Sequence, residues 1–350
     1  MRRQVAVALA AMVAALATAA ALWAAAPGAT VARPLRAARL ARTPKPAERA
    51  PGANAPSGVA TTVVDVPVRL PGQPPHVIAT AVWYPTTRRD GRLVADRSEA
   101  PYPLIVFSQG YDLAVSAYSG LLQHWAAAGF VVAAPTYPYT APPGPLDEAD
   151  IINHPAELRL VVSALINAGR EHSSVLWGLV NAAEVGLAGH SDGGDVSLAV
   201  ADNTCCRDPS VRALVVLSGA ELSSFGGTYF SGPQVPLLVV QGSADTVNVP
   251  ACSAQIYDEA SGPKYYLDLL GAHHEAPYVQ APRDARAAAS AARYRSVVAR
   301  ATTDFFEAEL DAKRAGVTWL ERAGNVPGVA QLFAGGQAPV ADGWCPGSPA

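Results

Sequence analysis

Val185-Gly186-Leu187-Ala188-Gly189-His190-Ser191-Asp192-Gly193-Gly194, continued by Asp195-Val196-Ser197-Leu198-Ala199-Val200-Ala201, is the stretch whose reading decides the fold. A short apolar run, a serine between glycines, and then residues at helical spacing read as strand, sharp turn and helix. The glycines at 189 and 193 let backbone segments come close with no side chain between them. Ser191 then stands in a strained turn above the strand end. The helix that opens after it offers N–H groups and the positive end of its dipole to an oxyanion forming nearby. His190 is expected to point inward as a structural residue.

Upstream, Val59–Val68 and Val77–Tyr84 flank a Pro/Gly turn, Pro71–Pro75, and predict an antiparallel hairpin. Six further apolar runs are Leu104–Phe107, Phe130–Ala134, Val185–Ala188, Ala213–Leu217, Leu237–Val240 and Tyr265–Leu270. Their continuous hydrophobicity suits strands buried on both faces of a parallel sheet. Helical spacing fills most gaps between them, as in Tyr118–Ala128, Ala156–Ala168 and Cys252–Ala260, and a last long helix is expected from Arg286 to about Arg314. The fold class is therefore α/β: a mostly parallel, eight-stranded sheet with helices on both faces. The link Ser218–Val235 is too short for a large cap domain.

A serine hydroxyl needs a base, and the base needs an acid to fix its tautomer. Asp245 follows the seventh run in Gln241-Gly242-Ser243-Ala244-Asp245, at a strand's carboxyl end where catalytic groups gather. The eighth run leads to Gly271-Ala272-His273-His274-Glu275-Ala276-Pro277, so the base is one of two histidines. Asp195 and Asp268 do not lie on strand-end loops. His76, His124, His154 and His172 are scattered and read as structural. One oxyanion donor is expected from the N–H of Asp192 and the other from the loop Phe107–Tyr111. The Asp192 carboxylate is expected to face solvent or a donor. Thr136–Asn153, with Tyr137 and Tyr139, is expected to form part of the rim.

The chain has 350 residues, 16% of them charged, with a net charge of −3, and no basic cluster marks a nucleic-acid surface. Arg2-Arg3 before the apolar run Val5–Ala26 reads as a signal peptide; a retained membrane anchor is the other reading of the same run. Residues 27–57 read as a Pro/Ala-rich linker, 58–315 as the catalytic domain and 316–350 as a C-terminal extension in which Trp319 and Leu332-Phe333 pack on the domain. Export agrees with Cys205, Cys206, Cys252 and Cys345 forming disulfides. Direct bridging of Cys205 to Cys206 is not expected, because neighbouring Cα atoms are too close for relaxed geometry. No metal-ligand cluster is recognised, no cofactor is expected, and the protein reads as a secreted or cell-envelope monomer. A membrane enters only through an uncleaved N-terminus.

From about Val59 to Leu310 the chain resembles a bacterial group of α/β-hydrolases related to platelet-activating-factor acetylhydrolase and chlorophyllase. The likeness is carried by Val106-Phe107-Ser108-Gln109-Gly110, Asn153-His154-Pro155-Ala156-Glu157, Gly189–Gly194, Asn203-Thr204-Cys205-Cys206 and Gly242-Ser243-Ala244-Asp245. Relatives more often carry His where Gln109 stands and Gln where His154 stands. The resemblance implies serine carboxylic-ester hydrolysis without metal or organic cofactor.

The histidine loop is similar to that of cutinase-type polyester hydrolases, and that likeness selects His274 over His273. Their Ser-x-Gly-Tyr segment likewise implies that Tyr111 gives the second oxyanion N–H. Those enzymes have a substrate-stacking Trp after the sixth strand, absent from Leu217-Ser218-Gly219-Ala220-Glu221, so small or medium esters are expected before polyesters. Dienelactone hydrolases, with a Cys nucleophile, are less similar. Amide or peptide cleavage on the same triad, and a non-catalytic envelope protein, are the alternatives.

Overall fold

The computed structural model describes residues 58–282, 285–311, 317–339 and 345. The expected signal and linker, 1–57, lie outside them. The described residues fall in the compact unit Pro51–Ala350. Among them, no helix is long and apolar enough to cross a membrane.

The strands are β1 (Gly58–Val68), β2 (His76–Arg89), β3 (Arg92–Ala95), β4 (Tyr102–Ser108), β5 (Val131–Thr136), β6 (Val180–His190), β7 (Val211–Leu217), β8 (Leu237–Gly242), β9 (Lys264–Leu269) and β10 (Ala330–Ala334). They make one sheet in the order β1-β2-β5-β4-β6-β7-β8-β9-β10, with β3 paired to β2. The stretch from β5 to β9 is parallel, and the antiparallel pairings lie towards the two ends. The α/β-hydrolase fold expected from the sequence is thus present.

The core follows from strand periodicity, since successive side chains point to opposite faces. In β7, Leu214 and Val216 join the core on one face, whereas Ala213, Val215 and Leu217 join the other. In β8, Leu237 and Val239 alternate with Leu238 and Val240 in the same way. Helices α1 (Ser119–Ala127), α2 (His154–Ala168), α3 (Asp192–Asp202), α4 (Pro250–Glu259) and α5 (Ala285–Leu310) cover the faces. Leu158, Val161 and Leu165 of α2 seal the first face, and Trp125 of α1 with Phe305 and Phe306 of α5 seals the second. Burial of each such side chain contributes about 1.5–3 kcal/mol.

The sheet has ten strands where eight were expected. β3 is the return of a tight hairpin at Asp90-Gly91, both with positive φ (51° and 77°), the conformation that an Asp-Gly turn favours. β10 comes from the C-terminal extension, after α6 (Val317–Gly324), and pairs with β9 through Leu332 opposite Leu267. Leu332 and Phe333 pack against the core as expected; Trp319 is exposed, under the guanidinium of Arg322. The disulfides are Cys252–Cys345, which ties the tail to α4, and the vicinal Cys205–Cys206. The second corrects the expectation that neighbouring cysteines would not bridge. Those residues sit in a turn after α3, where the Asn203 side chain accepts from the Cys205 N–H. The link from β7 to β8 holds only a short 3-10 turn, Ser223–Phe225, in keeping with the absence of a large cap.

Candidate active site

The elbow is a backbone construction. Ser191 has φ 54° and ψ −127°, a sparsely populated conformation for a residue with a side chain, and it caps α3. A Cβ at Gly189 would lie 1.9 Å from the Gly193 carbonyl oxygen, and one at Gly193 would lie 2.1 Å from that of Ser108. Both positions therefore require glycine. Gly110 is nearly as constrained, since a Cβ there would meet the Cβ of Ser191 at 3.2 Å. The Phe107–Tyr111 loop and the elbow are thus in direct contact, as a shared oxyanion site requires.

The acid and base meet. His274 Nδ1 donates to Asp245 Oδ2 at 2.7 Å, so His274 rather than His273 is the partner of the buried acid. Asp245 is fixed from several sides. Its Oδ1 accepts from the Val247 N–H at 2.9 Å and its Oδ2 from Gln241 Nε2 at 3.3 Å, while Ser253 donates to Gln241 Oε1 at 2.6 Å. With Nδ1 occupied, His274 Nε2 is the nitrogen left to serve a nucleophile. Among the described residues no hydrogen bond joins the Ser191 hydroxyl to His274, and such contacts often tighten only with substrate present.

His190, expected to point inward, and two tyrosines not singled out in the sequence, Tyr118 and Tyr278, hold these loops together. The Gly110 N–H donates to the Tyr118 hydroxyl at 3.2 Å, and Tyr118 lies 2.8 Å from His190 Nδ1. His190 Nε2 lies 3.1 Å from the His274 carbonyl oxygen. A carbonyl only accepts, so Nε2 carries the proton and Nδ1 accepts from Tyr118, which requires a neutral ring. Burial, and then the adjacent His274, hold His190 well below the usual imidazole range. One chain of hydrogen bonds therefore runs from the expected oxyanion loop, under the elbow, to the base. Tyr278 adds a second tie, with its hydroxyl 2.9 Å from Ser218 Oγ and donating to the Val240 carbonyl at 3.1 Å. Buried tyrosines far apart in sequence carry no local signal for such a role.

Asp192, the first residue of α3, departs from expectation. One carboxylate oxygen, Oδ2, is buried without a hydrogen-bond partner instead of facing solvent or a donor. Burial first, and then the charge of Glu148, push its pKa up to about 6, against the opposing effects of His154, His274 and its own backbone N–H. Glu148 and His154, whose charges act on it, both belong to the rim segment and the start of α2. Gln109 is also buried, with both amide atoms unpartnered. Asp195 accepts from the Ala220 N–H at 2.6 Å and ties α3 to the exit of β7, a structural part.

The rim also brings together three possible ligand side chains that are far from obvious as a group in the sequence. Asp150, His154 and Glu157 bring one ligand atom each within 4.8 Å of the others. His154 and Glu157 are three apart on α2 and share its face. Asp150 precedes them in the 3-10 turn Glu148–Asn153. Tyr137 stacks on the His154 ring at 4.0 Å and donates to or accepts from Ser108 Oγ at 3.2 Å, which places this cluster beside the loop after β4.

A strained elbow serine between β6 and α3, with an acid past β8 paired to a histidine past β9, is the arrangement of an α/β-hydrolase. The chlorophyllase family model matches residues 81–220, and Chlorophyllase-1 of Arabidopsis thaliana is 30% identical over 126 residues, 34% of this chain and 35% of that protein's length. Together they support the chlorophyllase-like group of hydrolases, the resemblance read from the sequence, and point to a hydrolase acting on esters. The match spans about a third of the curated relative. The family model covers Ser191 and the Phe107–Tyr111 loop but ends before Asp245 and His274, whose pairing rests on the geometry above.

Proposed function

We propose that the protein is an exported serine hydrolase that cleaves carboxylic esters through an acyl-enzyme on Ser191. The observation that carries this reading is the 2.7 Å bond from His274 to a fully anchored Asp245 beside a strained serine elbow. His274 takes the Ser191 proton as the hydroxyl attacks the ester carbonyl. Asp245 holds the Nδ1–H tautomer and stabilises the imidazolium. The N–H groups of Tyr111 and Asp192 receive the oxyanion. His274 then protonates the departing alcohol, and water repeats the sequence to release the acid.

The absence of a stacking Trp at residues 217–221 favours small or medium esters over polymers, and the short β7–β8 link supplies no large lid to sequester a long acyl chain. The name of the Arabidopsis relative puts chlorophyll among the esters to test. Paired cysteines and the basic-apolar N-terminus support export, and the protein acts as a monomer without nucleic acid. Turnover on p-nitrophenyl esters of increasing acyl length, each beside its anilide, tests the reading. Esters should be cleaved at least about 100-fold faster, with a short-chain optimum. Equal turnover of the anilides would make the protein an amidase.

A further inference from the structure

We propose that Asp150, His154 and Glu157 bind a divalent first-row transition metal ion, zinc foremost, at a site separate from the Ser191 centre. The two carboxylates are prepared alike. Asp150 Oδ1 accepts from Asn153 Nδ2 at 2.7 Å, while its Oδ2 is buried with no hydrogen-bond partner. Glu157 Oε1 lies 2.9 Å from His76 Nε2, while its Oε2 is buried with no hydrogen-bond partner. Glu157 is only 1% exposed, and an uncompensated carboxylate oxygen at that depth is costly.

In each carboxylate one oxygen is thus held by an outer group, while the second oxygen of Glu157 has no hydrogen-bond partner and that of Asp150 faces the His154 imidazole. Metal-binding carboxylates are supported in this way. His76 is itself steadied, its Nδ1 lying 3.1 Å from the Pro74 carbonyl oxygen. The third ligand is equally constrained. The His154 ring is pinned against Tyr137, and its Nε2 lies 3.5 Å from both Asp150 Oδ2 and the Thr140 hydroxyl. That is long for a salt-bridge hydrogen bond but near the roughly 3.4 Å edge of a tetrahedron of nitrogen and oxygen ligands around zinc.

The donor set decides the class of ion. One imidazole and two carboxylates suit zinc and its neighbours, whereas calcium and magnesium prefer oxygen alone. A cavity of about 190 Å³ lined by Gln73, Pro74, His76, Tyr139, Asp147 and Asp150 reaches the cluster at Asp150 and at His76, the partner of Glu157.

The test is zinc titration of the chelator-stripped full-length protein by calorimetry, with cobalt(II) absorption as the spectroscopic readout. One ion per chain is expected, with the visible band of a low-symmetry cobalt site. H274A should bind equally, whereas D150N, H154Q and E157Q should each weaken binding by about 100-fold or more. Circular dichroism identifies any variant that has not folded, and H154Q carries the test should E157Q be one. Failure of the stripped wild type to bind one ion, or undiminished binding by folded D150N and H154Q, overturns the proposal. So does binding that is lost in H274A and kept in E157Q, which would place the metal on the catalytic pair. None of these readouts depends on ester hydrolysis.

Discussion

Two carboxylate–imidazole groups stand near the carboxyl edge of the same sheet, and they are finished to different degrees. In Asp245–His274 both carboxylate oxygens have partners, and the bond to the imidazole is 2.7 Å. In Asp150–His154–Glu157 two buried oxygens lack a hydrogen-bond partner, and the corresponding approach is 3.5 Å. A group that must pass a proton without losing its orientation needs every remaining atom satisfied by protein. A ligand site of the kind proposed needs less, its carboxylates held from behind by neighbouring side chains. The same residue types therefore carry different chemistry according to which of their atoms the fold has already used.

The largest break in this comparison comes from the finished pair. H274A should lower kcat/KM on a p-nitrophenyl ester by about 10⁴-fold or more, while E157Q leaves it within about threefold. D245N should cost about 10³–10⁴-fold in kcat, because the base loses its tautomer while its loop stays in place. A comparable loss in folded E157Q would show that the rim cluster belongs to the reaction.

Glu221 sharpens the comparison from the side of stability. It is buried with Oε1 unpartnered and has no imidazole beside it, and burial raises its pKa from 4.5 to about 8, helped by Glu259. The folded state then holds this proton more tightly than the unfolded chain. Its contribution to stability is full below pH 4.5 and is lost as the pH rises towards 8. E221Q should therefore raise the unfolding free energy at pH 8 by about 2 kcal/mol and flatten its decline between pH 5 and 8, read by urea denaturation at each pH.

The smallest expected effect belongs to Asp192, whose carboxyl titrates at about 6 beside one proposed oxyanion donor. Above that pH its negative charge opposes the oxyanion. D192N should then raise kcat several-fold at pH 8 and change little at pH 5. A uniform change across the pH range would mean that the substitution acts through packing instead.

Most of the frame was legible because it is written locally. Short apolar runs, Gly189 and Gly193 around Ser191, and the strand-end positions of Asp245 and the His273-His274 pair each carry a signal within a few residues, whereas the choice between the two histidines needed the resemblance. What escaped depends on distant contacts. β10 is too short and too mixed in polarity to read as a strand until β9 is there to pair with it. The Asp90-Gly91 hairpin is the exception, since its turn residues carry a local signal. His190 reads inward correctly, but its link from Tyr118 to the His274 carbonyl joins three separated segments. His154 read as one of several scattered histidines, and only the turn that carries Asp150 onto the start of α2 gives it partners.

Mapping the adduct of a fluorophosphonate on the intact protein tests the central claim most directly. One modification should appear, on the tryptic peptide that holds Ser191, with labelling abolished in S191A and slowed severely in D245N. A folded wild-type protein that stays unmodified, or an S191A protein labelled as fast as wild type, would contradict acyl transfer through this serine.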